Sequence, residues 1–113
     1  EKIIDETINK NMTLISGIPP WVQMYFDRLM ERSGKKVGEL FANFSVLVHG
    51  GVAFKPYASR LFESIGRKVA AIETFPASEG FFAFQDSQEA EGLLLNTDSG
   101  IFFEFVPVAD VFQ

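Results

Sequence analysis

From Trp21 onward the apolar residues come in pairs, Trp21/Val22, Tyr25/Phe26 and Leu29/Met30, while Gln23, Asp27, Arg28, Glu31 and Arg32 fill the positions between them. This spacing predicts an amphipathic helix, opened by Pro19-Pro20, whose missing N–H groups are tolerated in a first turn, and stopped at Gly34. A second helix is predicted after Lys55-Pro56, running through Leu61, Phe62 and Ile65 to Gly66. Short apolar runs alternate with these helices: residues 12–16, closed by Gly17, then Ser45-Val46-Leu47-Val48, then Val69-Ala70-Ala71-Ile72. Strand, helix, strand, helix, strand at such spacing predicts a parallel βαβαβ unit. Ile3, Ile4 and Ile8 add a helical turn or two within residues 1–11.

After Gly80 the rhythm changes. Residues 81–84, 92–95 and 101–106 are strand-like runs separated by the polar stretches 86–91 and 96–100, with no room for a helix between them. They are expected to form antiparallel hairpins. The fold class is therefore α/β within a single domain, residues 1–75 forming the parallel part and 76–113 an antiparallel extension.

Composition narrows the function. A chain of 113 residues that is 47% hydrophobic supports a packed core. A net charge of -5, with ten basic residues scattered among fifteen acidic ones, argues against a nucleic-acid partner, whose affinity rests on clustered Lys and Arg. There is no cysteine and only one histidine, His49, which excludes disulfides, thiolate metal sites, a Cys nucleophile and a histidine-cluster metal site. No apolar run is long enough to span a bilayer as a helix, so no membrane partner is expected, and a reducing cytoplasm suits a cysteine-free chain. Thirteen Phe are a heavy load for so small a domain. The chain opens at Glu1 without a Met and ends on an apolar run. The expectation is a piece of a larger domain, with rings left to pack against missing neighbours and a tendency to self-associate or swap its final strands.

The stretch Glu73-Thr74-Phe75-Pro76-Ala77-Ser78-Glu79-Gly80 carries the most specific chemistry. It is expected as a polar turn behind the third parallel strand, and it suits a nucleotide: Phe75 offers a stacking face, Ser78 a hydroxyl for a phosphate oxygen, and Glu79 a carboxylate for Mg2+. Read alone, it is as well explained as a Pro-Ala-Ser turn that begins the next element. His49-Gly50-Gly51 follows the second parallel strand and should share a sheet edge with it, since ligands of open α/β sheets bind beyond the carboxyl ends of the strands. Glycines there let the backbone approach a flat ligand, or simply make a strand-to-helix turn.

Four segments in order, Gly17-Ile18-Pro19-Pro20-Trp21, Val48-His49-Gly50-Gly51-Val52, Phe75-Pro76-Ala77-Ser78-Glu79-Gly80-Phe81 and Gly100-Ile101-Phe102-Phe103-Glu104-Phe105-Val106-Pro107, resemble the auxin-responsive-promoter family of acyl-acid–amido synthetases, its bacterial branch in particular. The resemblance covers nearly the whole chain. It implies the central fragment of an adenylate-forming domain, with ATP and Mg2+ as cofactors, a carboxylic acid as substrate and an amine such as an amino acid as acceptor. It also implies that Phe75 stands at the adenine-stacking position, where the family commonly has Tyr, with Ser78 at the adenylate-contacting hydroxyl and Glu79 at the magnesium carboxylate. Pro76 and Ala77 complete that cofactor-binding stretch, and Gly50 and Gly51 line the nucleotide and acyl pocket. The family's phosphate loop, its ribose-binding Asp motif and its mobile C-terminal domain are not in these 113 residues, so the segment is expected to be inactive alone.

The remaining residues invite plainer readings. His49 reads as a hydrogen-bonded structural residue without an evident orienting carboxylate, Glu104 as a solvent-facing strand residue, and Trp21 and Tyr25 as core. Two other functions stand beside the synthetase: a stand-alone nucleotide- or small-acid-binding module, and a non-catalytic interaction domain using Phe-rich strands.

Overall fold

The computed structural model describes residues 2–89, 91–98 and 100–111. Glu1, Ala90, Ser99, Phe112 and Gln113, on which parts of the expected first helix, the polar stretches and the apolar end fall, lie outside the described residues. The chain is mixed α/β. Its helices are α1 (Lys2–Thr7), α2 (Pro19–Ser33), α3 (Val37–Leu40), α4 (Lys55–Ile65) and α5 (Val108–Val111), and its strands are β1 (Leu14–Gly17), β2 (Val46–Gly50), β3 (Ala70–Ala77), β4 (Gly80–Phe84) and β5 (Leu94–Leu95).

One five-stranded sheet runs in the order β1-β2-β3-β4-β5. β1, β2 and β3 are parallel, in the registers Ile15↔Leu47 and Leu47↔Ala71. β4 pairs antiparallel with β3, and β5 antiparallel with β4. The connections α2–α3 and α4 cross on one face, where α2 packs on α4 and α3 on both. There Phe26, Leu29, Val37, Phe41, Phe44, Leu47, Leu61 and Ile65 make the core. Phe26 sits edge-on to Phe44 with centroids 6.2 Å apart, and full burial of each such ring contributes about 1.5–3 kcal/mol relative to exposure.

Local signals explain the helix ends. α2 and α4 each carry Pro in the first turn and end on a left-handed glycine, Gly34 (φ 71°) and Gly66 (φ 91°), whose N–H groups cap Met30 O and Phe62 O. Between the helices, Gln23 Nε2 donates to Ser64 Oγ at 2.9 Å in the interior, and an exposed Arg60–Asp27 pair closes the seam outside. Arg67, at the entry to β3, donates to the carbonyls of Gly38, Ala42 and Phe44, which ties α3 and the approach to β2 to the sheet.

Three expectations are corrected. Residues 101–106 form no strand; β5 spans two residues and offers too short an edge to pair another. Instead Phe103 packs edge-on to Phe82, centroids 6.2 Å apart, and Glu104 is exposed in irregular chain. Trp21 is not core: it is 70% exposed. And the stretch 75–79 is not a turn throughout, because β3 runs on to Ala77 and the turn is Ser78-Glu79. Among the described residues no helix is long and apolar enough to cross a membrane.

Candidate functional site

The carboxyl ends of β1, β2 and β3 point to one edge, and each delivers a connection there: Gly17-Ile18 into α2, Gly50-Gly51 toward α4, and Ser78-Glu79 into β4. β3 and β4 form a hairpin with Ala77 opposite Gly80, leaving Ser78 and Glu79 as an exposed two-residue tip. Between the pairs Phe75↔Ala83 and Pro76↔Phe81, β4 carries one extra residue, Phe82. Pro76 has no N–H to give the ladder, so a bulge opposite it is where a proline is tolerated. The bulge brings the Phe82 ring edge-on to Phe75, with centroids 5.7 Å apart at 88°. Phe75 remains 54% exposed, a braced aromatic side chain at the sheet edge.

Gly50 is opposite Thr74 in the β2–β3 register, so the glycine turn and the start of the Phe75 stretch are adjacent. The reason for glycine at 50 is close packing: a Cβ would lie 2.4 Å from the Thr74 carbonyl oxygen and 3.0 Å from its Oγ1. Gly51 has φ +86°, a left-handed conformation, and its side-chain direction faces Ile18 at 3.5 Å. Thr74 Oγ1 donates to His49 O at 3.1 Å and locks the two strand ends together. The structure thus gathers Gly50, Gly51 and Phe75 at one edge, with Ser78 and Glu79 at the hairpin tip beyond them.

Sequence reasoning missed a second feature on the helix side of the sheet. His49 and Glu73 are register partners, so the carboxylate that the sequence did not reveal beside His49 comes from the neighbouring strand. His49 is only 4% exposed. Its ring stacks on Phe54, the residue that opens α4, with centroids 3.8 Å apart and planes 11° from parallel, and its Nδ1 is buried without a hydrogen-bond partner. Burial pushes the imidazole pKa below its ordinary value, and Glu73 partly opposes this. The sequence held no signal that pairs them: His49 stands one residue before the end of β2 and Glu73 in the middle of β3, and only the register makes them neighbours.

Beside this pair an open cleft of about 790 Å³ lies between the start of α4 and the segments 85–88 and 91–93, with Phe54, Phe62, Val69 and Leu93 among its walls. The outer wall is pinned to β3. Gln85 Oε1 accepts from Glu73 N at 3.1 Å, while Gln88 accepts from Ala71 N and donates to Ala71 O, continuing the ladder where β4 has ended.

No family model matches this chain, and no curated protein matches it.

Proposed function

We propose that this chain is the central segment of an ATP-dependent acyl-acid–amido synthetase of the adenylate-forming type, which activates a carboxylic acid as its acyl-adenylate and passes the acyl group to an amine such as an amino acid. The observation that carries this reading is the convergence of three strand-end connections on one sheet edge, with the Phe75 ring and the Ser78-Glu79 tip left open there. That edge is where open α/β sheets take their ligands.

The residues fit the groups the reading requires. Phe75 supplies a stacking face for adenine, fixed by Phe82, though without the hydroxyl that Tyr would bring. Ser78 is an exposed donor for a phosphate oxygen. Among the described residues no group of three or more His, Cys, Asp or Glu is placed to hold a metal ion. Glu79 alone is nevertheless the sort of single carboxylate that Mg2+ uses when water and nucleotide phosphates complete its shell. Gly50 and Gly51 shape the edge through strand packing and a left-handed turn, and serve any ligand by keeping that edge low. Nothing in the 113 residues corresponds to the family's phosphate loop or Asp motif, so the charge at the α-phosphorus is to be stabilised by other parts of a longer protein.

The test is pyrophosphate release from ATP and Mg2+ by a longer protein containing this segment, across a panel of carboxylic acids with and without amino acids. Acid-dependent release, and amide formation on adding the amine, are expected. Nucleotide binding with no acid-dependent release would instead favour a binding module.

A further inference from the structure

We propose that the cleft between α4 and the segments 85–88 and 91–93 binds a small monoamine with an aryl or alkyl body, its ammonium group held by Glu73 and His49. The proposal does not rest on the nucleotide reading, since it concerns the helix side of β3 and needs no ATP.

Three observations converge. The first is size and preformation: about 790 Å³ falls in the range of small-molecule pockets, and the outer wall is fixed by the hydrogen bonds of Gln85 and Gln88 to β3 rather than by packing alone. The second is unspent polarity. His49 is nine-tenths buried or more, lines the cleft and has a buried Nδ1 with no partner, a state that costs free energy unless a ligand or water relieves it. Glu73 lines the same floor, and no hydrogen bond from a described residue reaches its carboxylate, whereas the two glutamines are already engaged with the backbone. The third is the distribution of charge. The inner charged group is the half-buried Glu73, while Lys55, Lys68 and Glu91 stand exposed at the rim, where water screens them. An ammonium ligand therefore finds an acceptor and a counter-charge inside, and its apolar body meets Phe54 and Phe62, whose rings also attract a cation. A carboxylate ligand would be repelled by Glu73 at the depth where its head group must sit.

The full 113-residue chain is titrated, without nucleotide, with phenethylamine, phenylpropionate and phenethyl alcohol, three probes of one shape and different charge, and amide NMR shifts and calorimetry are followed. The amine is expected to bind about tenfold or more tighter than the other two, with shifts at Phe54, Phe62 and Leu93. Glu73→Gln should reduce it to the alcohol's affinity, and Lys68→Gln at the rim should leave it unchanged. Should Glu73→Gln fail to fold, the unaltered protein still decides: added salt must weaken the amine and spare the alcohol. Equal or tighter binding of the carboxylate, amine affinity retained in Glu73→Gln, amine affinity indifferent to salt, or no shift at the cleft with any probe overturns the proposal.

Discussion

Replacing Gly50 by Ala tests whether the glycine turn is there for strand packing. The added Cβ would stand 2.4 Å from the Thr74 carbonyl oxygen, a backbone atom with no rotamer to escape into. Ordinary contact requires about 1 Å more, so β2 and β3 must part at their carboxyl ends. Overpacking of this kind costs about 1–3 kcal/mol. Parting the strands also loosens the Thr74 Oγ1 bond to His49 O, 3.1 Å long, for about 1 kcal/mol more. Against this stands a gain of about 0.4–1 kcal/mol from restricting the unfolded chain. The net expectation is about 1–3.5 kcal/mol of destabilisation, read as a fall in the urea midpoint at unchanged slope, or as a melting temperature lower by several degrees or more. Gly51→Ala meets nothing closer than 3.5 Å but must hold φ near +86°, and should lose about 1 kcal/mol. Gly92→Ala is the control, with no atom within 4 Å of the new Cβ. If Gly50→Ala proves as stable as Gly92→Ala, the packing argument is wrong and Gly50 is free to serve a ligand alone.

Other consequences are open to direct measurement. Because burial holds the His49 pKa below the ordinary 6.5, the unfolded chain takes up that proton first on acidification. His49 should therefore leave stability on a plateau above about pH 6.5 and erode it as the pH falls through 6.5 toward the folded-state value. Urea midpoints of the parent and His49→Gln should run parallel at neutral pH and diverge as the pH falls below about 6.5; profiles parallel throughout would refute the burial assignment. Arg67→Ala removes donors from the carbonyls of Gly38, Ala42 and Phe44 and should cost about 2–3 kcal/mol in denaturant titration. Arg67→Lys should recover only part of it, since an ammonium cannot reproduce the guanidinium fork.

What the sequence disclosed follows the strength of its punctuation. Pro19-Pro20 with Gly34, and Lys55-Pro56 with Gly66, bracket α2 and α4 to within a residue or two, and the apolar runs between them become three parallel strands. α3 and α5, four residues each, are too short to show a periodicity. The length of β3 was hidden by Glu73, Thr74 and Pro76, which look like turn residues, yet Glu73 and Thr74 still pair with β2, and from Phe75 on the strand pairs only with a bulged β4. Residues 101–106 have the composition of a strand without a partner to hydrogen-bond. Trp21 follows the helical stripe yet is exposed, so periodicity alone overstated its burial. The Phe75 to Glu79 stretch could be proposed as a site from sequence because its side chains are contiguous in the chain. The His49–Glu73 pair was not, because it exists only through the β2–β3 register.

The central claim is that Phe75 and Glu79 serve one nucleotide in different ways, and steady-state kinetics of pyrophosphate release separates them most directly. In a longer protein containing this segment, Phe75→Ala should raise the KM for ATP with a smaller effect on kcat, since stacking acts on ground and transition states alike. Glu79→Gln should lower kcat on the order of 10²-fold, as expected for loss of one electrostatic contact to developing charge. Both side chains are exposed at the sheet edge, so neither change should disturb the fold, and unchanged circular dichroism will confirm that the effect is local. Parent rates in both variants across a range of ATP and Mg2+ concentrations would contradict the account and leave the hairpin tip a purely structural turn.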